Sequence, residues 1–224
     1  MTKDPMNPNS LSTALFTDIR ENIMNGKYSA GEKITENRIC NEFGVSRTPV
    51  REAFKQLELE GLIENVPNRG AFVIGISEQD LHDIYELRIA IEVKAVKWAI
   101  ERMSDEELKE LQEAYDLMEF YTMKKDAVKM QYMNSNFHEI IYQSTHSRFL
   151  EQVLKSYQFY IMKTRKAALQ VEDRLDEVLK EHKRILDAIY VKDIEEAEKA
   201  LIEHLTNSQQ RTKLGFNTLK KINA

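Results

Sequence analysis

The chain has 224 residues, of which 42% are hydrophobic and 31% charged, with a formal net charge of -5. That length suits one large domain or two modest ones, the apolar share supplies a buried core, and bulk charge neither announces nor excludes nucleic acid. One cysteine, Cys40, excludes an internal disulfide and fits a reducing cytoplasm, and no run approaches the roughly 18 apolar residues of a membrane span.

Met1 to Asn9 is polar, holds Pro5 and Pro8, lacks a signal peptide's apolar core, and reads as a frayed arm. A first helix is predicted from about Ser10 to Asn25, with Leu11, Leu15, Ile19 and Ile23 at spacing four and Gly26 as its stop. A second runs from about Thr35, a good N-cap, to Phe43, and Gly44 makes a turn. A third starts at the N-cap Ser46 and runs to about Glu60. Pro49 lies in its first turn, where a missing N–H costs nothing, and Val50, Ala53, Phe54 and Leu57 form its buried stripe. Gly61 ends it. Leu62 to Val66 and Ala71 to Ile74, around the turn Pro67-Asn68-Arg69-Gly70, read as a β-hairpin. Cys40, between Ile39 and Phe43, reads as a small core residue.

From Ser77 to Leu214 there is no Gly and no Pro, the composition of stacked long helices. About six are predicted, over 77–103, 105–123, 126–144, 147–168, 173–191 and 193–213. Leu81, Ile84, Tyr85, Ile91, Ala95 and Trp98 mark the stripe of the first. The fold class is therefore mainly α. Residues 1–76 form a winged helix-turn-helix with a small β-hairpin wing, and residues 77–224 an all-helical bundle.

Two short helices joined by a tight glycine turn, followed by a hairpin, have the layout of a DNA-binding helix-turn-helix with its wing. Arg47, Arg51 and Lys55, at spacing four, line one face of the third helix, and arginine donors fit phosphate oxygens and the acceptor edge of guanine. Ser46 and Thr48 stand at that helix's N-terminus, where hydroxyls and backbone N–H groups bind phosphate. Arg69, beside Gly70, tips the wing. Taken alone, a basic stripe is a solvated helix face; the ordered set of parts is what points to DNA. Nine Lys/Arg against ten Asp/Glu in residues 1–76 mean that binding relies on placement.

The stretch Gly44-Val45-Ser46-Arg47-Thr48-Pro49-Val50-Arg51-Glu52-Ala53, then Leu57-Glu58-Leu59-Glu60-Gly61-Leu62-Ile63, then Pro67-Asn68-Arg69-Gly70-Ala71-Phe72-Val73, resembles the GntR family of bacterial regulators. The second half resembles the helical FCD ligand-sensing domain of the FadR subfamily, and six helices there are closer to its VanR-like branch. The resemblance implies a homodimer on a palindromic double-stranded DNA operator, contacted by Arg47, Thr48, Arg51 and the wing-tip Arg69 and Gly70. Arg38, on the preceding helix, lies near a position used for DNA contact in some members.

Of the five histidines, His138, His182 and His204 sit on apolar stripes, whereas His82 and His146 read as surface or capping residues. A single His on such a stripe is ordinarily a satisfied core residue. Three on three helices, with Asn134 one turn before His138, would each need a buried partner, and one cation would satisfy them together. Imidazole suits divalent transition metals such as zinc or nickel. The resemblance implies the same site, with Phe137-His138, Glu181-His182 and His204 in the family's pattern. Asn134 replaces the family's acidic ligand and leaves the site one negative charge short. Arg88, on the stripe with Leu81, Ile84, Tyr85 and Glu92, would hold a small carboxylate effector; a buried Arg88–Glu92 pair is the equal alternative.

The expected function is a ligand-responsive transcription regulator, a repressor. One alternative is the same regulator with a metal-free effector pocket. The other is a metal-dependent hydrolase, for which no general base or nucleophile motif is visible beside the ligands.

Overall fold

The computed structural model describes residues 8–66, 69–75, 77–154, 160 and 174–222. They form two compact units, Met1–Ser77 and Glu78–Ala224.

The first unit begins with helix α1 (Pro8–Met24), which starts two residues ahead of the predicted Ser10. Leu15, Ile19 and Ile23 are buried, but Leu11, expected in the same stripe, is 40% exposed near the helix start. Helix α2 (Glu36–Phe43) is capped by Thr35, whose side chain accepts from the Arg38 N–H, and Gly44 closes it in the left-handed conformation, φ 66°. Helix α3 (Arg47–Leu59) follows at once. Ser46 occupies its N-cap position, but its hydroxyl makes no capping hydrogen bond. That hydroxyl is exposed, contrary to the capping role expected of it. Val50, Ala53, Phe54 and Leu57 are buried, and α3 packs on α1 and α2. Cys40, expected in the core, is only half-buried.

The predicted hairpin is two strands of a three-stranded antiparallel sheet in the order β1-β3-β2, with β1 at Lys33–Ile34, β2 at Ile63–Val66 and β3 at Gly70–Val73. Pairing sets Lys33 opposite Phe72 and Ile34 opposite Ala71. A two-residue strand is too short for any alternation to show, so β1 has no sequence signature. Residues 67 and 68 of the predicted turn lie outside the described residues.

The second unit contains α4 (Glu78–Arg102), α5 (Asp105–Met123), α6 (Ala127–Gln143), a helical stretch over 148–154 (α7), α8 (Leu175–Tyr190) and α9 (Ile194–Ile222). Most of the helix predicted over 147–168 lies outside the described residues. Helix α9 passes through Gly215, beyond the predicted end at 213, because one Gly costs a helix only about 1 kcal/mol. Helix α5 packs on α6 and α8, and α9 on α4 and α8. Their shared core includes Val96, Leu111, Met118, Met130, Phe137, Ile185 and Leu201. The buried face of α4 differs from the predicted stripe. It runs Leu81, Tyr85, Arg88, Glu92, Ala95, Val96 and Ala99, while Ile84, Ile91 and Trp98 are half-buried. Two charged residues thus occupy the middle of an inward face.

Candidate functional site

In the first unit, Ser46, Arg47, Thr48, Arg51 and Lys55 are exposed, while the opposite face of α3 is in the core. The 3.6-residue period separates the two faces. Each basic residue of this surface has a partner. Arg47 Nη2 donates to Asn37 Oδ1 at 3.1 Å and Arg51 Nε to Glu36 Oε1 at 2.8 Å, both reaching the start of α2. Lys55 pairs with Glu52 at 3.0 Å. Arg38 is exposed on α2, pairs with Glu32 at 2.6 Å and lies over the Tyr28 ring. In the wing, Arg69 and Gly70 are exposed, and the Arg69 guanidinium stands 5.6 Å from the Phe72 ring centre. Glu36 and Asn37 carried no signal in the sequence, because their partners lie ten and fifteen residues away on another helix.

In the second unit, α6, α8 and α9 bring His138, His182 and His204 together. All three are buried, and one ring nitrogen from each lies within 4.8 Å of the others. His182 Nδ1 is 2.7 Å from the Val178 carbonyl oxygen, an acceptor only, so Nδ1 carries the proton and Nε2 is a bare lone pair. His204 Nδ1 is 2.8 Å from Glu181 Oε2 and His138 Nδ1 is 3.4 Å from Glu92 Oε2, which turns both Nδ1–H groups toward carboxylates. The Nε2 lone pairs are then the atoms left for the cluster. His182 Nε2 and His138 Nε2 are 3.2 Å apart. Two lone pairs at that distance repel unless a proton or a cation lies between them. A tetrahedral zinc with bonds of about 2.0–2.1 Å holds its nitrogens about 3.3 Å apart, so the pair has the spacing of two ligands of one ion.

Asn134 is buried one turn before His138, and its Oδ1 has no hydrogen-bond partner among the described residues. An orphaned buried carbonyl oxygen costs free energy unless something accepts its lone pairs, and a metal ion does so. The donor set of three imidazoles and one neutral amide oxygen therefore fits a divalent transition metal.

A ring of charged groups surrounds the histidines. Glu181 receives Arg211 through both oxygens, at 2.8 and 2.6 Å, and Asn207 Nδ2 at 2.9 Å. Burial alone would raise the Glu181 carboxyl, but hydrogen bonds from His204 and Arg211 hold it at about 2. Burial lowers the His204 pKa against the opposing pull of Glu181, which favours the neutral, ligating imidazole. Arg88 donates from Nε to Glu92 Oε1 at 2.7 Å, and both side chains are almost fully buried. Burial disfavours its charge, but Glu92 outweighs that and keeps the guanidinium protonated. The two alternatives for Arg88 are compatible: Nε is in the ion pair, while Nη1 and Nη2 have no hydrogen-bond partner among the described residues. His82 and His146 are exposed and stand 3.8 Å from Glu86 and 3.3 Å from Glu107.

Arg211 was not singled out in the sequence, and Glu181 was named there only as the neighbour of His182. Arg211 lies seven residues after His204, two turns on along the same face of α9, and that spacing is the one signal pointing to it.

The model of the bacterial regulatory proteins of the gntR family matches residues 11–73, and that of the FCD domain matches residues 83–207. The chain belongs to the GntR family and carries an FCD domain. This GntR-family chain is 29% identical over 202 residues to the uncharacterized HTH-type transcriptional regulator YdhC of Bacillus subtilis, covering 88% of this chain and 89% of the relative. It is 27% identical over 207 residues to the gluconate operon transcriptional repressor of Bacillus licheniformis, with 89% and 84% covered. Among solved structures, the fold is similar to that of Escherichia coli McbR/YncC, with a TM-score of 0.68, 22% identity, and 93% and 98% covered. The regulator is a DNA-binding transcription factor and not an enzyme. No described helix is long and apolar enough to cross a membrane.

Proposed function

We propose that this GntR-family protein is a cytoplasmic, metal-dependent repressor that binds a palindromic operator as a homodimer and releases it when a small carboxylate reaches the helical unit. Residues 1–76 bind DNA through Ser46, Arg47, Thr48 and Arg51 of α3, with Arg38, Arg69 and Gly70 at the margins. Residues 77–224 hold a zinc or nickel ion on Asn134, His138, His182 and His204. The observation that carries the metal reading is the cluster of three buried imidazoles, each with Nδ1 directed at an acceptor. The bound ion supplies a Lewis acid for one oxygen of a carboxylate. The buried Nη pair of Arg88 is the chain's own contribution, a fork for the same carboxylate group. A relative whose name places it on a gluconate operon supports a hydroxy acid as the effector class.

The test is elemental analysis of protein purified without chelator or metal-affinity resin, with His182→Ala beside the wild type. About one zinc or nickel per chain, absent from the variant, is the expected result. No metal in either sample would sink the metal reading. It would leave a metal-free pocket, in which a shared proton would fill the 3.2 Å between His138 Nε2 and His182 Nε2. Carboxylates would then be sought as ligands of the three histidines and Arg88 alone.

A further inference from the structure

We infer that Glu36 and Asn37, at the start of α2, are specificity-determining positioning residues, which hold Arg51 and Arg47 of α3 as preset readers of base edges. The inference rests on α3 being the reading helix. Glu36 and Asn37 are successive residues in the first turn of α2, and each accepts one hydrogen bond from one arginine of the next helix, at 2.8 and 3.1 Å. The Arg51–Glu36 side chains are 59% and 34% exposed, and an ion pair so open to water adds little to stability. Its consequence is geometric. An arginine on an exposed helix face otherwise samples many rotamers, and each must be frozen before it reads a base.

The atoms used matter. Glu36 takes the Arg51 Nε–H, so the Nη1 and Nη2 end of the planar fork remains for an acceptor outside the domain. Guanine presents two acceptors, O6 and N7, on its major-groove edge, and two parallel N–H groups match them. Asn37 takes a single N–H, from Nη2 of Arg47, and leaves that fork's other donors. Glu36 also brings a negative charge to a surface that faces phosphates, which weakens binding to DNA of any sequence. The same carboxylate thus sharpens base preference and suppresses indiscriminate binding. The nearly balanced charge of residues 1–76 agrees with a surface built for discrimination rather than bulk attraction.

The test is selection of the full chain on a pool of random-sequence DNA duplexes, with bound sequences counted, alongside affinity for one random duplex. Arg51→Ala is expected to erase base preference at one symmetric pair of positions. Glu36→Ala should lower preference at those same positions at least threefold while raising affinity for the random duplex. Glu36→Gln keeps an acceptor for the Nε–H but drops the charge, so it should keep the base preference and still raise random binding. Asn37→Ala should act at the positions lost in Arg47→Ala. A Glu36→Ala profile equal to wild type, or a loss spread evenly over all positions, overturns the inference. Loss of preference in Glu36→Gln equal to that in Glu36→Ala overturns the geometric part. An Arg51→Ala profile equal to wild type at every position overturns the inference for Arg51, and an Arg47→Ala profile equal to wild type as well would remove α3 as the reading helix.

Discussion

Arg88 and Glu92 show what one residue means in the interior of α4. Their side chains are 2% and 0% exposed, and the pair closes at 2.7 Å. Removing Arg88 takes the ion-pair partner from a buried carboxylate whose other oxygen lies 3.4 Å from His138 Nδ1. Arg88→Met is therefore expected to destabilise the fold by about 3–5 kcal/mol, and Arg88→Met with Glu92→Leu to recover most of it. Urea denaturation of the full chain, with metal removed by chelator, measures this. A loss below about 1 kcal/mol for Arg88→Met would mean that Glu92 is solvated or protonated without its partner. At this scale the sequence was partly legible. The i,i+4 pair of Arg88 with Glu92 was in view, because helix geometry alone sets that spacing. The approach of Glu92 to His138, at 3.4 Å, was not, since it depends on how α4 meets α6.

Glycine is absent from residues 77–214, so the helices of the second unit end by other means. Ser104 opens α5 with a reciprocal capping box to Glu107, and Asp126 caps α6 through the Lys129 N–H. After α5, α6 and α8, Lys125, His146 and Lys192 take left-handed backbone, with φ of 53°, 49° and 57°. That conformation costs a side-chain-bearing residue roughly 1–2 kcal/mol. Lys192 is exposed at the turn between α8 and α9, so Lys192→Gly relieves strain and removes no buried contact. Allowing for the greater unfolded-chain entropy of glycine, the gain is about 0.5–1 kcal/mol, or about 2–4 °C in Tm at most. A thermal scan of the variant checks it, and an unchanged or lowered Tm would show that the turn carries no strain. Element existence followed from stripes spaced at the helix period. Element ends were less accessible, because a lysine in left-handed backbone looks like any other lysine.

His138, His182 and His204 all belong to the second unit, so a ligand of theirs would act on the stability of that unit. A metal that bound the three histidines of the folded chain alone would, at one hundred times its Kd, add about 2.7 kcal/mol. Zinc in excess over chelator is thus expected to raise the transition of the helical unit by about 5–10 °C in calorimetry. His182→Ala should be insensitive. A shift of equal size in that variant would place the ion elsewhere, and no shift in either would count against a metal in this core.

The sequence by itself determined the fold class and the family, because both rest on local patterns: stripes at 3.6 residues, glycines at turns, and one ordered run from Gly44 to Val73. It also set which face of α3 carries arginine and which helices carry an inward histidine. Only the tertiary structure decided what those residues meet. The carboxylates at His138 and His204, the clamp of Arg211 on Glu181, and the seats of Arg47 and Arg51 on α2 join residues ten to more than forty positions apart. Helical periodicity sets direction along one element, whereas distances between elements follow from how whole helices pack.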